Sequence, residues 1–83
     1  MYMDKAYIDE YFTKDLGEAA GLICSSAKLL RLQKESKFFW FIFANKSLCE
    51  QLANDYWSGG LKLDVRRYAE ISRSLKDRLF AQK

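Results

Sequence analysis

Basic residues outnumber acidic ones, 14 to 11, and one group of them runs into aromatic residues at a spacing that narrows what they can do. Lys28, Arg31, Lys34 and Lys37 recur every three residues and run directly into Phe38 and Trp40. Single-stranded nucleic acid is bound by such a mixture, with cations meeting phosphates and rings meeting bases. A second basic set, Arg66, Arg67, Arg73, Lys76, Arg78 and Lys83, lies towards the C-terminus. Arg66 stands four residues before Glu70 and Arg73 four before Asp77, spacings that favour pairing along a helix. Arg67, Lys76 and Arg78 are compensated least. For them a solvated helix face and a secondary nucleic-acid contact both stay open.

Enzymatic chemistry has less to stand on. Histidine, the commonest general base, is absent. Glu50, Asp55, Asp64, Glu70 and Asp77 occupy helix-cap positions or sit beside basic residues. Capping and solvation account for carboxylates so placed. There is no glycine-rich phosphate loop, since Gly59-Gly60 reads as a helix stop. Cys24 and Cys49 are far apart and have no histidine to join them, so an ordinary zinc site is not expected. Both read as buried free thiols. The expectation is a non-enzyme with no metal, no cofactor and no small-molecule substrate.

The elements that must carry these residues follow from periodicity. Residues 38–43 read Phe-Phe-Trp-Phe-Ile-Phe, so a strand here is apolar on both faces. Leu30 and Leu32 alternate with Leu29, Arg31 and Gln33, and Glu35-Ser36-Lys37 supplies a turn, which together predict a β-hairpin. Its inward face is expected to hold Leu30, Leu32, Phe39, Phe41 and Phe43. Phe38, Trp40 and Ile42, beside Leu29, Arg31 and Gln33, are left on the other face. That second apolar face needs a cover. Self-association or a protein partner, a nucleic acid, and the chain's own N-terminal aromatics are the three possibilities.

Three helices surround the hairpin. Thr13 is placed as an N-cap for a first helix over roughly 14–25, in which Gly17 and Gly21 imply close approach of another backbone. Ser47 and Glu50 have the spacing of a capping box and open a second helix, with Leu48, Cys49, Leu52, Tyr56 and Trp57 as its apolar positions. Ser58-Gly59-Gly60 ends it. Leu61-Lys62-Leu63 is a short extended link. Asp64 caps a last helix with an apolar stripe of Val65, Tyr68, Ile71, Leu75 and Leu79. Residues 1–12, with Tyr2, Tyr7, Ile8, Tyr11 and Phe12, form a lead-in laid on the domain, and 13–83 form a single α+β domain, helix–hairpin–helix–helix.

With 83 residues, 49% of them apolar, no proline and four glycines, the chain can form one small core without being disordered. Net charge is +3, alternating from acidic (1–20) to basic (28–46), acidic (50–64) and basic (66–83). That alternation is as compatible with internal pairing as with a nucleic-acid footprint. No signal peptide or membrane span is visible, so a cytoplasmic protein without membrane association is expected.

Several short motifs resemble a family of short bacterial and phage domains of unknown function. They are Thr13-Lys14-Asp15, Phe41-x-Phe43, Tyr56-Trp57-x-Gly59, Leu63-Asp64 followed by Arg67-Tyr68, and Leu75-Lys76-x-Arg78-Leu79-Phe80. The resemblance covers about residues 11–80 and implies a shared fold in a bacterial or phage setting. It offers no activity to transfer. The expected function is a small binding module that forms a homodimer or binds a protein through Phe38, Trp40 and Ile42. The alternative is a nucleic-acid-binding accessory domain using Lys28, Arg31, Lys34 and Lys37, with Arg67, Lys76 and Arg78 secondary.

Overall fold

The computed structural model describes residues 9–82. In chain order the elements are β1 (Glu10–Thr13), α1 (Leu16–Cys24), β2 (Leu29–Lys34), β3 (Phe39–Ala44), α2 (Lys46–Ser58) and α3 (Val65–Ala81). The α+β class and the order of helix, hairpin and two helices are as the sequence leads one to expect. A third strand is added from the lead-in. β1 pairs antiparallel with β3, so the most apolar strand is central in the order β1-β3-β2. A strand apolar on both faces suits that position, because it has a neighbour on either side.

The sheet's inward face and the helices enclose the core. Phe41, Phe43, Leu22, Cys49 and Leu75 are buried, with Leu52, Tyr68, Ile71 and Leu79 packed against them. Tyr11 lies opposite Phe43 and Thr13 opposite Phe41, so β1 also presents its odd positions inward. The hairpin departs from simple alternation. Leu29 pairs with Phe43 and Arg31 with Ile42, with the register shifting between them. A bulge inserts one unpaired residue and reverses the facing beyond it. Leu29 rather than Leu30 therefore packs on the core, and Leu30 is exposed.

Two caps and one packing contact differ from expectation. Asp15, not Thr13, is the N-cap of α1, its carboxylate accepting from Glu18 N at 2.8 Å. Thr13 belongs to β1, where its hydroxyl accepts from Asp15 N at 3.2 Å. Asn45, not Ser47, caps α2, with its side chain accepting from Leu48 N at 3.2 Å and its backbone at φ 68°. The chain reverses there out of β3, and asparagine tolerates the left-handed region better than serine. Gly17 and Gly21 face a side chain instead of a backbone. A Cβ on Gly21 would meet Tyr56 Cδ1 at 2.9 Å, and one on Gly17 would meet Tyr56 Oη at 2.6 Å.

Gly59 (φ 84°) ends α2 and Asp64 caps α3, accepting from Arg66 N and Arg67 N, both as expected. Within the expected apolar stripes, Val65, Leu48 and Trp57 are exposed. Residues 61–63 make an irregular link. Cys24 and Cys49 are free thiols, Cys49 buried and Cys24 half-buried. Burial raises the Cys49 thiol pKa from 9.0 to about 11.

Candidate functional site: the outer sheet face and its edge

The helices cover one side of the sheet. On the other, the even positions of β1 and β3 stand beside Arg31 and Gln33 of β2. Two kinds of contact divide this outer face. Arg31 donates both terminal nitrogens to Glu10, Nη1 to Oε2 at 3.2 Å and Nη2 to Oε1 at 3.0 Å. The two residues lie on strands flanking β3, so their forked bond crosses the central strand above Ile42 and Ala44. Ile42 is completely buried although it lies outside the core cluster. The Glu10 hydrogen bond is also what raises the Arg31 pKa. Arg31 and Glu10 thus bridge the two flanking strands on the side of the sheet where Ile42 lies.

Towards the hairpin turn, the face is aromatic. Phe12 and Trp40 meet edge to face with centroids 6.1 Å apart, and Trp40 meets Phe38 the same way at 5.2 Å. Lys14 Nζ lies 4.8 Å from the centre of the Phe38 ring, a cation–π contact. Phe12 is 41% exposed, and Phe38 and Trp40 are half-buried. Of the three expected interface residues, two are thus accessible, and Ile42 is inside the chain. Phe12, one of the N-terminal aromatics expected as a possible cover of this face, is the member that its own segment's pattern does not place. Its strand spans four residues, too short for a periodic signal, and its outward facing follows only from pairing with β3. Of the other N-terminal aromatics, Tyr11 turns inward, while Tyr2 and Tyr7, like Ile8, lie outside the described residues.

The cations proposed for nucleic acid are dispersed. Arg31 occupies the outer face, and Lys34 lies opposite Phe39 on the helix side. Lys28 precedes β2, its carbonyl accepting from Ala44 N at 3.0 Å. Arg67 donates to the Cys24 carbonyl at 3.0 Å. Among the described residues, neither Arg66–Glu70 nor Arg73–Asp77 closes to an ion pair. A different grouping does form. Lys37 in the turn, Lys14 after β1 and Lys76 on α3 surround a cleft of about 310 Å³. Its apolar lining includes Leu16, Phe39, Phe41 and Leu79, with Phe38 and Phe80 at the sides.

A polar cluster not foreseen from sequence lies behind the sheet. Glu18, 6% exposed, accepts from Tyr11 Oη at 2.5 Å and from Trp57 Nε1 at 2.8 Å. Burial and that bond hold the Tyr11 phenol well above its usual pKa. Tyr56 and Tyr68 hydroxyls lie 3.3 Å apart, Tyr68 also donating to Gly17 O at 3.2 Å. The shared hydrogen bond raises the Tyr56 pKa to about 12. These contacts tie β1, α1, α2 and α3 together. They give structural roles to Tyr56, Trp57 and Tyr68, three residues of the short motifs.

No family model matches the chain, and no curated protein or solved structure gives a significant match. Among the described residues no helix is long and apolar enough to cross a membrane.

Proposed function

We propose that the protein is a non-catalytic binding module that pairs with a second copy of itself through the outer sheet face. The observation that carries this reading is the partly exposed row Phe12–Trp40–Phe38 on the side of the sheet away from the helices. Apolar area removed from water contributes roughly 25 cal/mol per Å², and exposed patches of this kind mark interaction surfaces. Charge supports a like partner. The face carries the Glu10–Arg31 pair at one end and Lys14 at the other, so both signs occur around its apolar middle. A two-fold arrangement sets each apolar row against its twin. The bulge and Lys34 on β2 disfavour the alternative of joining sheets edge to edge.

Equilibrium sedimentation from one to several hundred micromolar is the test. Wild type is expected to dimerise, and Trp40→Lys and Phe12→Lys to give folded monomers. Ile42→Lys is unsuitable because it would break the interior. A wild type that stays monomeric throughout overturns the reading.

A nucleic-acid contact is the second reading, supported by Lys28, Lys34 and Lys37, none of which forms an ion pair among the described residues. Arg31 and Arg67 already have acceptors, and Lys14 covers one ring, which leaves this reading fewer groups. Single-stranded oligonucleotide binding that collapses between 50 and 200 mM salt would favour it.

A further inference from the structure

We propose that the lysine-rimmed cleft at the end of the hairpin is a binding site for a small amphipathic anion, one acidic head on an aliphatic or aryl body. Two observations bear on the head. Lys14, Lys37 and Lys76 come from three separate parts of the chain and converge on one opening. None of them forms an ion pair among the described residues, and no carboxylate lines the cleft there. Three lysines lining one cleft, with no carboxylate among its lining residues, give the opening a positive potential over low-dielectric walls. An anion there gains charge-assisted hydrogen bonds. The body is specified by the floor, where Leu16, Phe39 and Leu79 offer hydrocarbon and little hydrogen-bonding capacity. At about 310 Å³ the volume lies at the lower end of small-molecule pockets, roughly 300–1,000 Å³.

The cleft adjoins the dimer face, sharing Lys14 and Phe38 with it, and opens between the hairpin turn and α3 with Leu16, Phe39 and Leu79 as its own floor. A phosphate or a carboxylate head satisfies the same lysines, so the experiment separates them.

Calorimetric titration of the full chain at low salt with decanoate, decyl phosphate and 1-decanol is the test, with amide shifts mapped by NMR. One anion per chain is expected, at least tenfold tighter than decanol, with shifts centred on Phe39, Leu79 and Lys76. The ratio of decyl phosphate to decanoate affinity reads out which head the lysines prefer. Lys37→Glu with Lys76→Glu should weaken both anions at least tenfold and leave decanol unchanged, since both side chains are exposed. If that pair fails to fold, Lys37→Gln alone should still weaken the anions severalfold. Equal affinity for decanol and decanoate overturns the proposal. So does an absence of saturable binding, or shifts centred on Phe12 and Trp40.

Discussion

Glu18 offers the sharpest test of what holds this small fold together. It sits in the first turn of α1, nearly inaccessible, and its two oxygens take the Tyr11 hydroxyl and the Trp57 indole N–H. Replacement by alanine removes both acceptors at once. Hydrogen bonds to a charged group are worth about 1.5–3 kcal/mol each, and a buried donor left without a partner costs about 1–3 kcal/mol. Trp57 is 63% exposed, so water can reach its N–H after the change, which places that loss near the low end. Tyr11 is half-buried and holds the shorter bond, which places its loss higher. A carboxylate in a first helical turn adds about 0.3–1 kcal/mol from the helix dipole. Glu18→Ala should therefore cost about 3–5 kcal/mol, a large part of the roughly 5–15 kcal/mol that stabilises a typical domain.

Glu18→Gln keeps the shape and one acceptor oxygen, and should cost about 1–2 kcal/mol. Urea unfolding followed by far-ultraviolet circular dichroism measures both. A double-mutant cycle with Tyr11→Phe isolates the bond itself, with an expected coupling of about 1–2 kcal/mol. The Trp57 indole proton should shift in NMR spectra of both Glu18 variants and stay in place in Tyr11→Phe. Loss of less than about 0.5 kcal/mol in Glu18→Ala, the scale of an ordinary surface substitution, would refute the reasoning.

Four further outcomes are expected. Phe41→Ala should cost about 3–5 kcal/mol and leave little folded protein by urea titration, because Phe41 is 1% exposed at the centre of the core. Gly21→Ala gains about 1 kcal/mol of helix propensity but drives a methyl into the Tyr56 ring, so calorimetry should show a net loss of about 0–2 kcal/mol. Ser26 holds φ 76° where α1 ends, and Ser26→Gly should raise stability by about 1 kcal/mol in the same assay. Tyr11, Cys49 and Tyr56 all have raised pKa values, so the fold keeps protons that the unfolded chain releases. Stability should be undiminished below about pH 9 and fall as pH rises towards 12, with Tyr11→Phe falling less steeply in a melting series.

Where an element's signal is local, it could be read in advance. Gly59 and Asp64 mark the end of α2 and the start of α3, because left-handed glycine and a capping carboxylate act within a few residues. Phe41, Phe43 and Leu75 were placed in the core for the same reason, each on a strand or helix with clear periodicity. Facing in β2 was not legible. Leu29, Leu30 and Leu32 are all apolar, and polarity alone cannot reveal which of them a bulge leaves unpaired. Asn45 was overlooked because the Ser47–Glu50 spacing also fits a cap, and the choice depends on how the chain leaves β3.

The candidate site was harder to read than the fold, and for a physical reason. Arg31 looked like a phosphate ligand because in sequence its neighbours are Lys28 and Lys34. In space its neighbour is Glu10, twenty-one positions earlier and two strands away. Ile42 is buried on the same side of the sheet, and the pairing of β1 brings Phe12 into the aromatic row. Lys14, Lys37 and Lys76 lie far apart along the chain, and the hairpin turn and α3 bring them to one cleft. A charge assigned by its neighbours along a chain is thus most readily misread at a sheet's outer face. There the partner arrives from another strand, and β1 and β2 are neighbours across β3 although α1 lies between them in sequence. Removing the crossing bond separates the two meanings of Arg31. If it is a bridge between strands, its loss costs stability; if it is a ligand contact, its loss changes binding alone.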